Sequence, residues 1–261
     1  MKKCLIYIYL LLLTSLCCLQ AGAVSSEIRS LSVSDGLPDL VINTIYKDSK
    51  GYVWMGTNTS VERFDGIRLE HYMVEGSNEN LKRVFALVEM PDNELWVGTG
   101  MGLFRLADDA EKLERLAPEM ITSGVHAFCK LGDVLYVGTE KGLYVYKGGV
   151  FEHVLVDKNV FSRANFVTGM VEGENGILWL STMGGLKSFR LSDQTITSFS
   201  DKLAKNGQNL SFYNITRIGS KIFMGTMTSG LVLFDTASKH FSRYLDVGCG
   251  VISALSGDGK D

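Results

Sequence analysis

Five short segments of this chain lie in register with one another. They are Val53-Trp54-Met55-Gly56-Thr57, Leu95-Trp96-Val97-Gly98-Thr99, Leu135-Tyr136-Val137-Gly138-Thr139, Leu178-Trp179-Leu180-Ser181-Thr182 and Ile222-Phe223-Met224-Gly225-Thr226. Their aromatic residues recur every 40 to 44 positions. A fixed period of that length means one supersecondary unit used repeatedly, each copy burying its apolar faces against its neighbours. The ladder constrains whatever else the chain does.

Each anchor follows an apolar run and a tight turn, such as Val41 to Tyr46 then Asp48-Ser49-Lys50-Gly51, or Val125 to Leu131 then Gly132-Asp133. Behind it come a second turn and a third apolar run, such as Gly102 to Leu106 or Gly142 to Tyr146. A more polar run closes the unit: Leu69 to Tyr72, Lys112 to Leu116, Phe151 to Val154, Thr195 to Phe199 and His240 to Leu245. Successive apolar residues in Leu95-Trp96-Val97 put apolar side chains on both faces of one strand. Only a sheet covered on both sides needs that. Four strands per forty-odd residues, with polar outer strands, predict an all-β chain folded as a β-propeller of four-stranded antiparallel blades. The anchor glycines Gly56, Gly98, Gly138 and Gly225 let the neighbouring sheet approach closely, and Thr57, Thr99, Thr139, Thr182 and Thr226 complete the anchors.

The chain opens with Lys2-Lys3, an apolar run from Leu5 to about Leu19, and Ala21-Gly22-Ala23. This is the pattern of an exported leader cleaved before Val24. The apolar run is short of the roughly 20 residues a membrane span needs. With Lys2 and Lys3 removed, the net charge moves from −3 to −5. So acidic a chain lacks the footprint for a phosphate backbone, and no nucleic-acid partner is expected. Cys129 and Cys249, which remain after the leader, are expected as unpaired, mostly buried thiols.

The motif Asp48-x-x-Gly51-x-x-Trp54-x-Gly56-Thr57, with Arg63-Phe64-Asp65-Gly66 behind it and Leu31-Ser32-Val33-Ser34-Asp35-Gly36-Leu37-Pro38 ahead, resembles the two-component-regulator propeller repeat. Ser60-Val61 in place of Gly-Leu, Ser181 in place of glycine, and Tyr136 and Phe223 in place of tryptophan depart from it. The resemblance implies the periplasmic sensor half of a hybrid histidine kinase of Bacteroidota that regulates glycan utilisation. It also implies an oligosaccharide or similar solute as ligand, inner-membrane anchoring and a dimer in the full-length sensor, with the kinase portion beyond this segment.

Chemistry is sparse. His71, His153 and His240 fall on outer strands of different blades, and no metal-ligand spacing, nucleophile elbow or phosphate loop is present. No cofactor, metal or catalytic residue is expected. The alternatives to a sensor are a secreted lyase- or hydrolase-type propeller enzyme and a protein-docking propeller. A ligand is expected on the face built by the loops before each inner strand and between second and third strands. These place Asp39, Asn58, Arg83, Glu140, Lys141, Arg163, Asn165, Tyr213 and Asn214 there, with the 200–214 loop as a cover. Aromatic, amide and charged groups together suit a glycan.

The expected organisation is a leader at 1–23, a lead-in with a ring-closing outer strand at 24–40, and five blades plus the first strand of a sixth at 41–261. Val251 to Leu255 supplies that sixth inner strand. The chain is expected to form the N-terminal part of a ring of seven blades, and by itself an open arc.

Overall fold

The computed structural model describes residues 30–74, 81–199, 203, 210–226, 229–245, 252 and 254–255. The leader at 1–23, Cys249, most of the 200–214 loop, and Val251 and Ser253 of the 251–255 segment lie outside the described residues. So does Ile28 of the ring-closing strand.

Five four-stranded antiparallel sheets follow one another along the chain. The first comprises β1 (Thr44–Lys47), β2 (Val53–Gly56), β3 (Val61–Phe64) and β4 (Leu69–Tyr72). The second comprises β5 (Val84–Glu89), β6 (Leu95–Thr99), β7 (Gly102–Leu106) and β8 (Glu114–Arg115). The third has β9 (Val125–Leu131), β10 (Val134–Thr139), β11 (Gly142–Lys147) and β12 (Val150–Val154). The fourth has β13 (Val167–Glu172), β14 (Ile177–Thr182), β15 (Gly185–Arg190) and β16 (Ile196–Phe199). The fifth has β17 (Phe212–Ile218), β18 (Lys221–Thr226), β19 (Leu231–Asp235) and β20 (His240–Leu245). Inner strand packs on inner strand in order, β1 on β5, β5 on β9, β9 on β13 and β13 on β17. These are propeller blades, and the anchors are their second strands.

The cores lie between blades. Trp54, Val61, Leu87 and Val97 share one cluster, and Trp96, Leu103, Val125 and Val137 share the next. A Cβ on Gly56 would stand 2.5 Å from Val84 Cγ1 of the following blade, and one on Gly98 or Gly138 would stand 2.8 Å from Val125 or Val167 Cγ1. The glycine is therefore the place where one sheet touches the next. Gly225 has the same relation to Ile252, 2.8 Å away, and the Ile252 amide donates to Thr226 O at 3.2 Å.

At Ser181 the arrangement is inverted. Its cross-strand partner is Gly169, where the second and third blades have Ala86 and Ala127. A Cβ on Gly169 would come within 2.8 Å of Ser181 Oγ. The missing glycine has moved across the strand pair.

The threonines staple the following turn. Thr57, Thr99, Thr139, Thr182 and Thr226 are buried, and each donates its hydroxyl to the carbonyl three or four residues on, at 2.6 to 3.1 Å.

One expectation needs correction, and one segment takes a local form of its own. Leu31 to Val33, expected to close a complete ring, pairs with no strand among the described residues. Val33–Asp35 is a single 3-10 turn, and the Asp35 carboxylate accepts from Ser32 N at 2.9 Å and Ser32 Oγ at 2.7 Å. A strand with no sheet edge to pair with leaves its backbone unsatisfied, and this local cap satisfies it. The outer strand expected over Lys112 to Leu116 shrinks to Glu114–Arg115, because Leu113 turns to the first blade, bridging Val74 and donating to Met73 O at 2.9 Å.

Candidate functional site

Inner strands β5, β9, β13 and β17 each carry a bulge opposite the end of the anchor. The extra residues are Phe85, His126, Thr168 and Tyr213. Asn43 stands at the same place in the first blade, one residue before the partner of Gly56. A bulge breaks the alternation of the strand and re-aims one side chain, so a column of side chains crosses the blades at one end of the inner strands.

Three residues of this column, Asn43, Phe85 and His126, form a continuous strip with their neighbours. The Phe85 and His126 rings lie 4.0 Å apart, and His126 lies 4.7 Å from Phe166. The Arg83 guanidinium sits 5.3 Å above Phe85, and its Nε donates to Asn43 Oδ1 at 2.9 Å. Asn43 Nδ2 donates to Asn58 Oδ1 at 3.1 Å, and Asn58 Nδ2 to Asp39 Oδ2 at 2.8 Å. Lys82 and Arg83 both have left-handed backbone, φ 49 and 75. Such strain persists only where surroundings over-determine it. Here Arg83 N donates to Asn58 O at 2.8 Å, Gly100 N donates to Arg83 O at 3.0 Å, and a Cβ on Gly100 would strike Lys82 O at 2.2 Å.

Burial pushes the His126 imidazole below its ordinary pKa, and the Glu140 carboxylate opposes that shift without overcoming it. The ring is therefore neutral at pH 7, with Nε2 placed 3.1 Å from Glu140 Oε1 to donate to it. Hydrogen bonds, first from the Val41 amide and then from Asn58, hold the Asp39 carboxyl below the usual carboxylate range. The strip thus offers aromatic faces, a fixed cation, amides and carboxylates, a set suited to a polyhydroxylated solute.

It offers no activated nucleophile. Elsewhere among the described residues, Ser60, Glu62 and His71 come together. Ser60 Oγ donates to Glu62 Oε1 at 2.5 Å, and the other carboxylate oxygen meets His71 Nδ1. The carboxylate lies between the hydroxyl and the imidazole, so His71 cannot take the serine proton. Among the described residues, no group of three His, Cys, Asp or Glu side chains is placed to hold a metal.

The sequence-predicted positions divide. Asn58, Arg83 and Glu140 belong to the strip. Lys141 bonds Thr122 Oγ1 at 3.2 Å, and Arg163 bonds Ser211 Oγ at 2.8 Å, both exposed. Asn165 is 1% exposed and holds its own loop, donating to Asp157 O and Asn159 O at 3.1 and 2.9 Å. Tyr213 and Asn214 are strand residues of β17, not loop residues. Asn214 bridges blades, donating to Ile252 O at 2.6 Å and accepting from Gly225 N at 3.1 Å. Asn43, Phe85, His126 and Phe166 are missing from the sequence-based set. Their signal is a column just before the residue opposite each anchor glycine, where Asn43, Phe85, His126, Thr168 and Tyr213 do not repeat within an otherwise repeating unit.

The family described as two-component regulator propeller matches residues 36–59. Histidine kinase P4 of Formosa agariphila is 27% identical, over 74% of this chain and 16% of the kinase. The extracellular domains of two hybrid two-component systems of B. thetaiotaomicron superimpose on 86% and 82% of this chain, with TM-scores of 0.72 and 0.65 at 21% and 22% identity. The chain spans 30% and 31% of those two domains. A virginiamycin B lyase of Staphylococcus aureus shares the fold at a TM-score of 0.63 and 16% identity, over 80% of this chain and 71% of the lyase. Repeat motif, family match and fold agree: the chain resembles the two-component-regulator propeller repeat and has the fold of the extracellular domains of hybrid two-component systems.

Proposed function

We propose that this chain is part of the extracytoplasmic ligand-sensing propeller of a hybrid sensor histidine kinase. It binds an oligosaccharide in the periplasm and passes the signal to a kinase portion encoded beyond it. Residues 1–23 act as the leader, 41–261 supply five blades and the start of a sixth, and glycan-utilisation genes are the regulated output. One observation carries the reading: the strip Asn58–Asn43–Arg83–Phe85–His126–Phe166, built across four blades on a backbone strained at Lys82 and Arg83. Ligand binding signals only by favouring one arrangement of the attached region over another, and a strip that spans blades is placed to do so.

The likeness to a virginiamycin B lyase favours a second reading, a propeller enzyme. One experiment separates them. Isothermal titration against neutral and sulfated oligosaccharides should show binding that Arg83→Ala and His126→Ala weaken, with every compound recovered intact. Cleavage of a bound compound, or affinities indifferent to both substitutions, refutes the sensor strip.

A further inference from the structure

Flat blades arranged radially splay apart toward their rims, so a wedge opens between each adjacent pair. Between the first and second blades the wedge is plugged. Arg63 fills it, 4.7 Å from the Tyr52 ring and 5.6 Å from Trp54 and Tyr72, and only about 20 Å³ remains. The wedges between third and fourth and between fourth and fifth blades hold about 300 and 290 Å³. The one between the second and third blades holds about 670 Å³. The cause is the segment after β7. Ala107, Asp108 and Ala110 line the first wedge, and Asp108 pairs with Lys50 of the first blade. The chain that would have built a full outer strand has been drawn to one side, which uncovers the other.

The uncovered wedge is not a bare apolar gap. Trp96, Tyr146 and Phe151 form a three-ring cluster, with centroids 4.7 to 5.9 Å apart, and Tyr146 and Phe151 are partly buried residues that line the wedge. Trp96 Nε1 donates to Glu94 Oε2 at 3.1 Å, Arg105 lies 3.6 Å from Glu94, and Lys130 and Asp133 complete the rim. Two cations face two carboxylates, so the wedge selects neither an anion nor a cation. Its volume falls in the range of small-molecule sites, about 300–1,000 Å³.

We infer that the wedge between the second and third blades is a second ligand site, for a neutral mono- or disaccharide. The pyranose stacks on Tyr146 and Phe151, and its hydroxyls bond to Glu94, Arg105 and Lys130. It is distinct from the bulge strip. Arg83 precedes β5, Phe85 stands at its start and His126 near the start of β9, whereas Met90, following β5, and Lys130, at the far end of β9, line the wedge.

The test is titration of the intact chain with maltose, cellobiose and methyl β-galactoside. At least one should bind. Phe151→Ala and Glu94→Gln should each weaken that binding tenfold or more, Lys130→Met should weaken it less, and Lys158→Met, exposed and outside both the wedge and the strip, should leave it unchanged. Glu94→Gln keeps an acceptor for the Trp96 indole, so an unchanged melting temperature there guards against a folding defect. Binding of none of the three sugars overturns the inference. So does equal affinity in the wedge variants, or loss in Arg83→Ala alone, which assigns the sugar to the strip. Failure of the strip leaves a different signature, an Arg83→Ala variant indifferent to every oligosaccharide while the wedge variants lose these small sugars.

Discussion

The indole N–H of Trp54 donates to the Asp48 carboxylate at 2.7 Å. The other oxygen of Asp48 accepts from the Tyr52 amide at 2.8 Å, and Gly51 between them has φ 92. The Asp-x-x-Gly-x-x-Trp motif is thus one device: a carboxylate that caps a turn, a glycine that makes the turn, and an indole held at its buried edge. The other tryptophans are held differently. Trp96 uses Glu94, while Trp179 is approached by Gly173, where a Cβ would stand 2.5 Å from Nε1.

Asp48→Ala should therefore cost about 1–3 kcal/mol, the penalty of leaving a buried donor unpaired. Trp54→Ala should cost roughly 3–5 kcal/mol, because it also empties core volume. Urea denaturation of both variants checks the ranking, and equal midpoints would mean the carboxylate is not what seats the indole.

The inverted pair predicts a coupling. Gly169→Ala forces a methyl toward Ser181 Oγ and Ile215 Cγ2, at 2.8 and 3.0 Å, and should destabilise by about 1–3 kcal/mol. Adding Ser181→Gly should restore most of that loss. A double-mutant cycle measures the term directly. Strict additivity would show that the two positions do not share the space between sheets.

Glu62 gives the chain a pH signature. Burial raises its carboxyl above the ordinary 4.5, against the hydrogen bond from Ser60 and the proximity of His71. The folded state therefore holds the Glu62 proton more tightly than the unfolded chain. Its contribution to stability is full below 4.5 and is lost as pH rises through the folded value. Glu62→Gln cannot lose a proton, so its stability relative to the parent should improve from pH 4 toward pH 7, read by melting temperatures across that range. A constant offset would remove Glu62 as the cause.

Asn214 and Ile252 bear on what lies beyond the fifth blade. Ile252 meets Gly225 as Val84 meets Gly56, the contact that a further inner strand would make. A longer chain with about two more blades should sediment as a monodisperse species, whereas these 261 residues alone should associate through uncovered sheet faces. Monodisperse behaviour of the shorter chain would show that the blade count is mistaken.

Blade architecture was legible in the sequence because it is a periodic requirement. A strand covered on both sides needs apolar residues at successive positions, and the contact between sheets needs a small residue at one fixed place, so both recur at every anchor. That Asn58, Arg83 and Glu140 share one loop face was legible because loop position follows from the strand order. Phe85 and His126 were not. Counted along a strand they occupy core-like alternating positions, and only the bulge that adds a residue turns them into the strip. Asn165 and Asn214 failed in the opposite direction, since an amide in a polar segment reads the same whether it faces solvent or bridges backbone. The wedge behind Trp96 was invisible for a third reason. It is defined by where residues 107–113 go, and that choice between two neighbouring blades is settled by packing between segments, which no local pattern encodes.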